Sequence, residues 1–256
     1  MAMGIFVTAR MGSTRLADKH LRLIDGRPAL SYLLKRVEAE FGTELASGQA
    51  RVVLVTGAES RNRALAAVTG GTRVTMYYGD DDNVPLRHLQ AAKALGIERI
   101  ISIDGDDLFC APEAMRQVYE MLNRGDGMAK TTGLPLGMNC WGYDVVTLGK
   151  ALDGANQALL ETGWGRIFAG LSESTVDIPC PHGHAIRATL DYDDDLRFFT
   201  RCMLDIPEWA NLDAASFVGR IIERRLHEIN AGLNETYWQN FASGMAREDN
   251  TRASNT

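Results

Sequence analysis

The chain has 256 residues, of which 45% are hydrophobic and 23% are charged, and this length suits one large α/β domain. The net charge of -6 argues against a protein that holds nucleic acid through a basic surface. The first apolar stretch, residues 3–9, is too short to span a bilayer, so we expect no membrane partner. The four cysteines form no C-x-x-C pair, and no secretory signal precedes them. We therefore expect a cytoplasmic chain with reduced thiols.

Short apolar strands alternate with helical stretches through the first two-thirds of the chain. Strands are predicted at 4–9, 52–56, 74–78 and 100–103, and helices begin at Pro28, Asn62, Val84 and Pro112. This alternation predicts a mostly parallel sheet with helices on both faces. Ligands of such sheets bind beyond the carboxyl ends of the strands, so the loops after the first and fourth strands are the candidate sites.

The remaining third is less regular. The pattern predicts strands at 139–146 and 185–190 and amphipathic helices at 195–204 and 214–229. We interpret residues 1–246 as a single domain, with a subregion for dimerisation or acceptor binding at about 127–184. Residues 247–256 contain almost no apolar side chain, which predicts a disordered tail.

The loop after the first predicted strand carries the groups that a triphosphate needs. It runs from Ala9 to Lys19 and contains three cations, Arg10, Arg15 and Lys19, together with one glycine and two hydroxyls. Guanidinium and ammonium groups bind phosphate oxygens, and glycine lets the backbone approach a ligand. A solvated, charged surface loop is the alternative, but the position at a strand end favours phosphate binding.

Two groups of aspartates follow later strands. The first contains Asp104, Asp106 and Asp107, and the second contains Asp191, Asp193, Asp194 and Asp195. Carboxylates at strand ends suit Mg²⁺, which takes one or two of them with water and phosphate oxygens. Because Asp193 and Asp195 precede a predicted helix, capping is the favoured role for these two.

These segments together resemble the cytidylyltransferases that activate acidic sugars. Residues 9–19 are similar to the opening Ala-Arg-x-Gly-Ser-Thr-Arg-Leu-Pro-Gly-Lys, with Ala17 and Asp18 replacing Pro and Gly, and the resemblance continues to Leu30. Further similar segments follow in the same order at 78–92, 104–108 and 187–196. The likeness is to the branch named for spore coat polysaccharide biosynthesis protein F, which is related to CMP-Kdo and CMP-sialic acid synthetases.

The resemblance implies a three-layer, Rossmann-like nucleotidyltransferase fold of the nucleotide-diphospho-sugar transferase type, with a mostly parallel sheet. It also implies an enzyme, working as a homodimer in surface polysaccharide or glycoconjugate biosynthesis. With CTP and Mg²⁺, such an enzyme would transfer CMP to an acidic sugar or similar small acceptor and release pyrophosphate.

The resemblance also implies roles for individual residues. Asp106 and Asp191 align with the carboxylates that hold Mg²⁺, and catalysis would involve Arg10, Arg15, Lys19 and Asp106. The predicted nucleotide-binding residues are Ala9, Arg10, Met11, Gly12, Ser13, Thr14, Arg15, Lys19, Thr56, Gly79, Asp82 and Asp104.

The predicted acceptor-binding residues are Asn139, Trp141, Trp164, Arg166 and Arg187. Here the chain lacks the Glu and His of the branch, which suggests a different acceptor. Arg166 and Arg187 could pair with an acidic group, while core packing is an equal alternative for the two tryptophans.

Three alternatives stay open at this point. A nucleotidyltransferase using GTP or UTP is one, although the chain lacks the double-glycine opening of guanylyltransferases. A non-catalytic nucleotide-binding regulator is another, against which the retention of Asp106 and Asp191 argues. The sequence Cys180-Pro-His182-Gly-His184 suggests a metal site, but its Pro and Gly make a regular strand doubtful there.

Overall fold

The computed structural model describes residues 2–155 and 159–253, and the side chains of 2–155 and 159–249. The described strands are β1 (Ala2–Thr8), β2 (Leu23–Ile24), β3 (Arg27–Pro28), β4 (Ala50–Thr56), β5 (Thr75–Tyr78), β6 (Ile97–Asp104), β7 (Met128–Thr132), β8 (Trp141–Asp144) and β9 (Ser174–Asp177). The described α-helices are α1 (Ala29–Glu40), α2 (Gly42–Ser47), α3 (Glu59–Asn62), α4 (Val84–Leu95), α5 (Pro112–Arg124), α6 (Val145–Asp153), α7 (Asp193–Asp205), α8 (Ala214–Glu223) and α9 (Leu233–Ala253).

The central sheet has seven strands in the order β5-β4-β1-β6-β8-β7-β9. β1 pairs in parallel with β4 and β6, and β4 pairs in parallel with β5. β8 runs antiparallel to both β6 and β7, while β9 is parallel to β7. The carboxyl ends of β1, β4, β5 and β6 therefore meet at one edge, as the predicted mostly parallel sheet requires.

Alternate residues of β1 enter two separate cores. Ile5 and Val7 pack in the core that also contains Leu33 of α1 and Met115 of α5. Phe6 points to the opposite face and packs in the core that contains Ala91 of α4. A strand covered on both faces must be apolar at successive positions, which explains its continuous apolar run. The predicted three-layer, Rossmann-like fold class is confirmed.

Two predicted strands differ in the structure. The strand predicted at 139–146 is confined to β8, because Asp144 ends it and caps α6, accepting the backbone N–H of Thr147 at 2.6 Å. The strand predicted at 185–190 is wrong: it makes one isolated bridge, between Leu136 and Arg187. Beyond this bridge, Leu190 N–H donates to the carbonyl of Asp106 at 2.9 Å, so the segment is tied to the aspartate loop instead of to a strand.

The segment predicted to be a disordered tail, 247–256, overlaps the end of α9, which continues to Ala253. The helix is held there by a polar contact: Glu248 is 4% exposed and accepts the backbone N–H groups of Glu161 and Thr162 at 3.1 and 2.6 Å. Residues 254–256 lie outside the described residues. No helix in the described ranges is long and apolar enough to cross a membrane.

Candidate active site

A cavity of about 760 Å³ opens at the carboxyl edge of the sheet. It lies between the loop after β1, the aspartates after β6, the segment 159–165 and one face of α9. The predicted site residues that line it are Ala9, Arg10, Gly12, Ser13, Thr14, Arg15, Lys19, Asp104, Asp106, Trp141, Trp164 and Asp191. The volume is in the range of small-molecule sites.

The loop after β1 is held at its start by two hydrogen bonds from its backbone N–H groups and turns at its far end at Asp18. Ala9 N–H donates to the carbonyl of Val55 at 3.2 Å, and Met11 N–H donates to the side-chain oxygen of Asn62 at 2.8 Å. At the far end, Asp18 has φ 53°, the left-handed conformation that glycine adopts most easily. Asp18 thus keeps the backbone conformation expected of the glycine in the similar family opening, and its side chain does not line the cavity.

Asp106 and Asp191 meet at a single cation. The Lys19 ammonium contacts Asp106 Oδ2 and lies 3.0 Å from Asp191 Oδ1, and Arg15 Nη2 lies 2.7 Å from the same Asp191 oxygen. Burial favours the neutral form of Lys19, but the two carboxylates outweigh burial and raise the pKa of Lys19. The two residues that the sequence assigns to a metal are therefore close enough to share one cation.

The floor of the cavity carries more carboxylates than Lys19 neutralises. Asp104 is exposed to the cavity, and the protein that surrounds it there, followed by the charge of Asp106, raises its pKa to about 7. Burial also acts to raise the pKa of Asp106, but Lys19 outweighs it and holds that pKa below its usual value. Since these donors are all oxygen atoms, they fit Mg²⁺, although no group of three or more His, Cys, Asp or Glu is arranged for a metal in the described residues.

Arg187 has a different place from the one predicted. Its side chain has no exposed surface, and it contacts Asp191 and Asp195 at 3.0 and 3.1 Å. The ring of Tyr237 covers its guanidinium at 4.2 Å. An acceptor in the cavity cannot reach a guanidinium that is enclosed in this way, so the predicted acceptor contact of Arg187 is corrected to a contact with the aspartates.

The other four predicted acceptor-binding residues divide into two pairs. Trp141 and Trp164 line the cavity and pack against each other with ring centroids 4.6 Å apart. Asn139 and Arg166 do not line it: Asn139 donates to the carbonyl of Leu134 at 2.8 Å, and Arg166 pairs with Glu248 at 2.8 Å. Both polar side chains are used to hold loops in place.

Four predicted nucleotide-binding residues do not line the cavity formed by the described residues: Met11, Thr56, Gly79 and Asp82. Met11 packs against the core, and Thr56 is fully buried. Gly79 N–H donates to the carbonyl of Thr56 at 2.9 Å, and the carbonyl of Asp82 accepts from Leu160 N–H at 2.8 Å. These residues therefore support the loops around the cavity.

Several residues that line the cavity are not among those predicted from the sequence. Glu161 forms an ion pair with Arg10 at 2.8 Å, and Tyr237, Asn240 and Phe241 face the cavity from α9. The aromatic residues recur at helical spacing, which was a usable signal for a helix. Nothing in the sequence indicated that this helix would return to the phosphate loop.

A buried histidine lies below the cavity floor. His88 has no exposed surface, and its ring nitrogens lie 2.8 Å from Thr8 Oγ1 and 2.7 Å from the hydroxyl of Tyr143. Burial lowers the pKa of His88 to about 3, so the ring is neutral at ordinary pH. The chain of contacts joins the end of β1, at Thr8, to the aromatic group around Trp164, whose ring lies 5.4 Å from His88.

Comparison with known protein families covers the first part of the chain. A family model described as Cytidylyltransferase matches residues 4–159, more than half of the chain. This chain belongs to the cytidylyltransferase family. The matched segment includes the phosphate loop and Asp106, whereas Asp191, Arg187 and α9 lie beyond it.

Individual relatives of this cytidylyltransferase family member agree with the match. The 3-deoxy-manno-octulosonate cytidylyltransferase of Idiomarina loihiensis is 29% identical over 140 residues, covering 53% of this chain and 52% of that protein. The chain thus spans about half the length of the curated relatives that it matches. The spore coat branch stays a prediction.

Solved structures share the fold. A cytidylyltransferase from Leptospira borgpetersenii superimposes with a TM-score of 0.76 at 18% identity, covering 89% of this chain and 97% of that one. CMP:2-keto-3-deoxy-manno-octonic acid synthetase complexed with CTP gives a TM-score of 0.58 at 15% identity, covering 80% and 99%. At these identities, the likeness establishes the nucleotidyltransferase fold and nothing finer.

The segment Cys180-Pro-His182-Gly-His184 lies away from this site. Cys180 is half-buried, and the side chains of His182 and His184 are exposed. His182 has φ 64°, so the chain turns there and does not form a regular strand. All four cysteines are free thiols.

Proposed function

We propose that this protein is a CTP-dependent cytidylyltransferase that transfers CMP to a small acidic acceptor and releases pyrophosphate. One observation carries the proposal: the three cations of the phosphate loop and the carboxylates Asp106 and Asp191 line a single cavity. Family membership supports the choice of CTP over GTP or UTP.

The proposed reaction has one bond formed and one broken. An acceptor oxygen attacks the α-phosphorus of CTP, the bond to the β-phosphate breaks, and the acceptor proton is released to solvent. Arg10, Arg15 and Lys19 bind the triphosphate oxygens and stabilise the charge that grows on the leaving pyrophosphate. Mg²⁺, held by Asp106 and Asp191, would supply further charge stabilisation when it is bound.

Binding the nucleotide requires an exchange of partners. In the structure, Arg10 pairs with Glu161, Arg15 pairs with Asp191, and Lys19 pairs with both metal-binding candidates. Phosphate oxygens would take over the three cations, which leaves the two aspartates free for a metal ion. This exchange keeps the cluster neutralised in both states, so it limits the cost of buried unpaired charge.

The acceptor side of the cavity is partly aromatic. Trp141 and Trp164 offer a flat apolar wall to an acceptor. The acidic sugar, the role in surface polysaccharide or glycoconjugate biosynthesis and the homodimer belong to the proposal through the family resemblance. The proposal also keeps the expected cytoplasmic location.

A pyrophosphate-release screen tests the proposed function. The four nucleoside triphosphates are each supplied with Mg²⁺ and a panel of 2-keto-3-deoxy acids, sugar phosphates and phosphonates. We expect pyrophosphate release with CTP and not with the other three nucleotides, and only when one of a small subset of the acceptors is present. Pyrophosphate release with GTP or UTP would make that nucleotide the substrate. Binding of CTP without pyrophosphate release, whichever acceptor is supplied, would favour a non-catalytic nucleotide-binding regulator.

A further inference from the structure

We propose that Arg187 is a positioning residue, which with Asp195 fixes the Asp191 carboxylate so that one of its oxygens faces the cavity. The inference rests on the proposed function in one respect, the assignment of Asp191 to the metal. It concerns a residue outside the family-matched segment, 4–159.

The two oxygens of Asp191 have different partners. Oδ2 faces inward and lies 3.0 Å from Nη2 of Arg187. Oδ1 faces the cavity, where Arg15 and Lys19 contact it at 2.7 and 3.0 Å. Rotation of the carboxylate would break both sets of contacts at once, so Arg187 determines which oxygen a cation in the cavity can meet.

Asp195 fixes the backbone that carries Asp191. Its Oδ2 accepts the backbone N–H groups of Asp191 and Tyr192 at 2.9 and 3.0 Å. Its Oδ1 lies 3.1 Å from Nε of Arg187 and accepts the Asn230 side-chain amide at 2.8 Å. Asp195 therefore does more than cap α7: it holds both the main chain of Asp191 and the guanidinium that orients the Asp191 side chain.

The whole group is enclosed. Arg187, Asp191, Asp195 and Asn230 each have at most 1% of their surface exposed, and Tyr237 covers the guanidinium face at 4.2 Å. Asn230 closes the ring by donating to the carbonyl of Arg187 at 3.0 Å. A buried ion pair is weak evidence for stability, because well-packed apolar residues usually stabilise as much. The ion pair of Arg187 and Asp195 lies directly behind the cavity-facing carboxylate of Asp191, and this position fits a role in orienting that carboxylate.

The test measures metal binding without turnover, using Mn²⁺ as an oxygen-preferring probe for the Mg²⁺ site. Mn²⁺ is titrated into the protein with saturating CTP and followed by electron paramagnetic resonance. In Arg187→Lys the planar, two-pronged contact is lost while the charge remains. We expect Mn²⁺ affinity to fall by about 10- to 100-fold, the usual effect of removing a group that orients a metal ligand.

Asp195→Asn keeps the size of the side chain but removes its charge, and should weaken Mn²⁺ binding as Arg187→Lys does. Arg197→Lys is the matched control, because Arg197 forms an exposed ion pair with Asp194 at 3.0 Å on the same helix. In steady state, the half-saturating Mg²⁺ concentration should rise in both test variants, with the KM for CTP at saturating Mg²⁺ nearly unchanged.

Stability is checked by thermal unfolding, and Asn230→Ala provides a milder variant if Arg187→Lys does not fold. This variant removes one contact of Asp195 and should show a smaller loss of Mn²⁺ affinity. Unchanged Mn²⁺ affinity in the folded variants would overturn the positioning role, as would absence of Mn²⁺ binding by the wild-type protein. A wild-type protein that binds Mn²⁺ with the expected variant pattern but releases no pyrophosphate would refute only the proposed function.

Discussion

The phosphate side of the cavity, residues 8–19 and 104–107, begins at the ends of two paired strands, whereas the acceptor side, residues 159–165 and α9, is joined to the fold by a short backbone bridge at Leu160 and by side-chain contacts. On the phosphate side, Thr8 pairs in register with Asp104, and Gly105 N–H donates to the carbonyl of Thr8 at 2.7 Å. Strand ends within a buried sheet have little freedom to move. The backbone at the two strand ends is therefore set before any ligand arrives, and nucleotide binding would rearrange only the side-chain ion pairs there.

The acceptor side depends on Glu248. This one carboxylate accepts two backbone N–H groups of the segment and pairs with Arg166. The fit with α9 is close, since a Cβ at Gly163 would lie 2.8 Å from Met245 Sδ. Loops held by few contacts tolerate change and tune specificity, so we expect the phosphate side to determine the rate and the acceptor side to determine the choice of acceptor.

The largest expected effect comes from Asp106→Asn on the phosphate side. Removing one charge from the metal-binding pair should lower kcat by about 100-fold or more, because such groups act mainly on the charge of the transition state. CTP affinity should change much less, since Arg10, Arg15 and Lys19 remain. Steady-state kinetics and CTP titration measure the two quantities, with the exposed Asp194→Asn as the control. A normal kcat would move the metal elsewhere, with Asp104 as the next candidate.

Removal of a phosphate-loop cation should have the next largest effect. In Arg15→Ala and Lys19→Ala, loss of one charge-assisted contact should weaken CTP binding by about 1.5–3 kcal/mol. Arg22→Ala is the control, because Arg22 does not line the cavity and forms an exposed ion pair with Asp193 at 3.5 Å. Calorimetric titration gives the affinities. Equal CTP affinity in wild type and both test variants would show that the loop does not bind the triphosphate.

On the acceptor side, Glu248→Gln should have a smaller and more local effect. The weaker acceptor oxygen should release residues 161 and 162, so their amide hydrogens should exchange faster by about tenfold. The KM for the acceptor should rise several-fold while CTP affinity stays constant. Glu235→Gln, at the exposed start of α9, is the control. If CTP affinity changed as much as the KM for the acceptor, the two sides of the cavity would not have the separate roles in CTP binding and acceptor choice that we expect.

The smallest effect concerns His88, which lies under both sides. Its pKa is lowered to about 3 in the folded protein, below the ordinary value of 6.5, so only the unfolded chain takes up a proton between these values. Stability should therefore fall as the pH drops below 6.5, by about 1 kcal/mol between pH 7 and 5.5. Denaturant unfolding measures this slope. His88→Gln should have a shallower slope, and identical slopes would contradict the prediction.

The phosphate side could be predicted from sequence because local patterns determine it. Apolar runs identify β1 and β6, and polar residues directly after them must lie at the sheet edge. This reasoning brought Arg15, Lys19 and Asp106 to one place. Asp191 lines the same cavity, although the strand expected before it is an irregular segment joined to the aspartate loop.

The acceptor side could not be predicted because its contacts join distant residues. Glu248 acts on residues 86 and 87 positions earlier in the chain, and its segment has the polar composition of a disordered tail. Arg187 and Arg166 illustrate a second limit. A sequence does not distinguish an arginine that faces a ligand from one that is enclosed by carboxylates, since both need the same charge.

The central claim is that Asp106 and Asp191 hold one metal ion at the CTP phosphates. A crystal of the protein with CTP and Mn²⁺, measured for anomalous scattering, tests it most directly. We expect one anomalous peak within about 2.1 Å of an oxygen from each aspartate, with Lys19 moved onto the triphosphate. A peak away from Asp191, or CTP bound while Lys19 still joins the two aspartates, would contradict the claim.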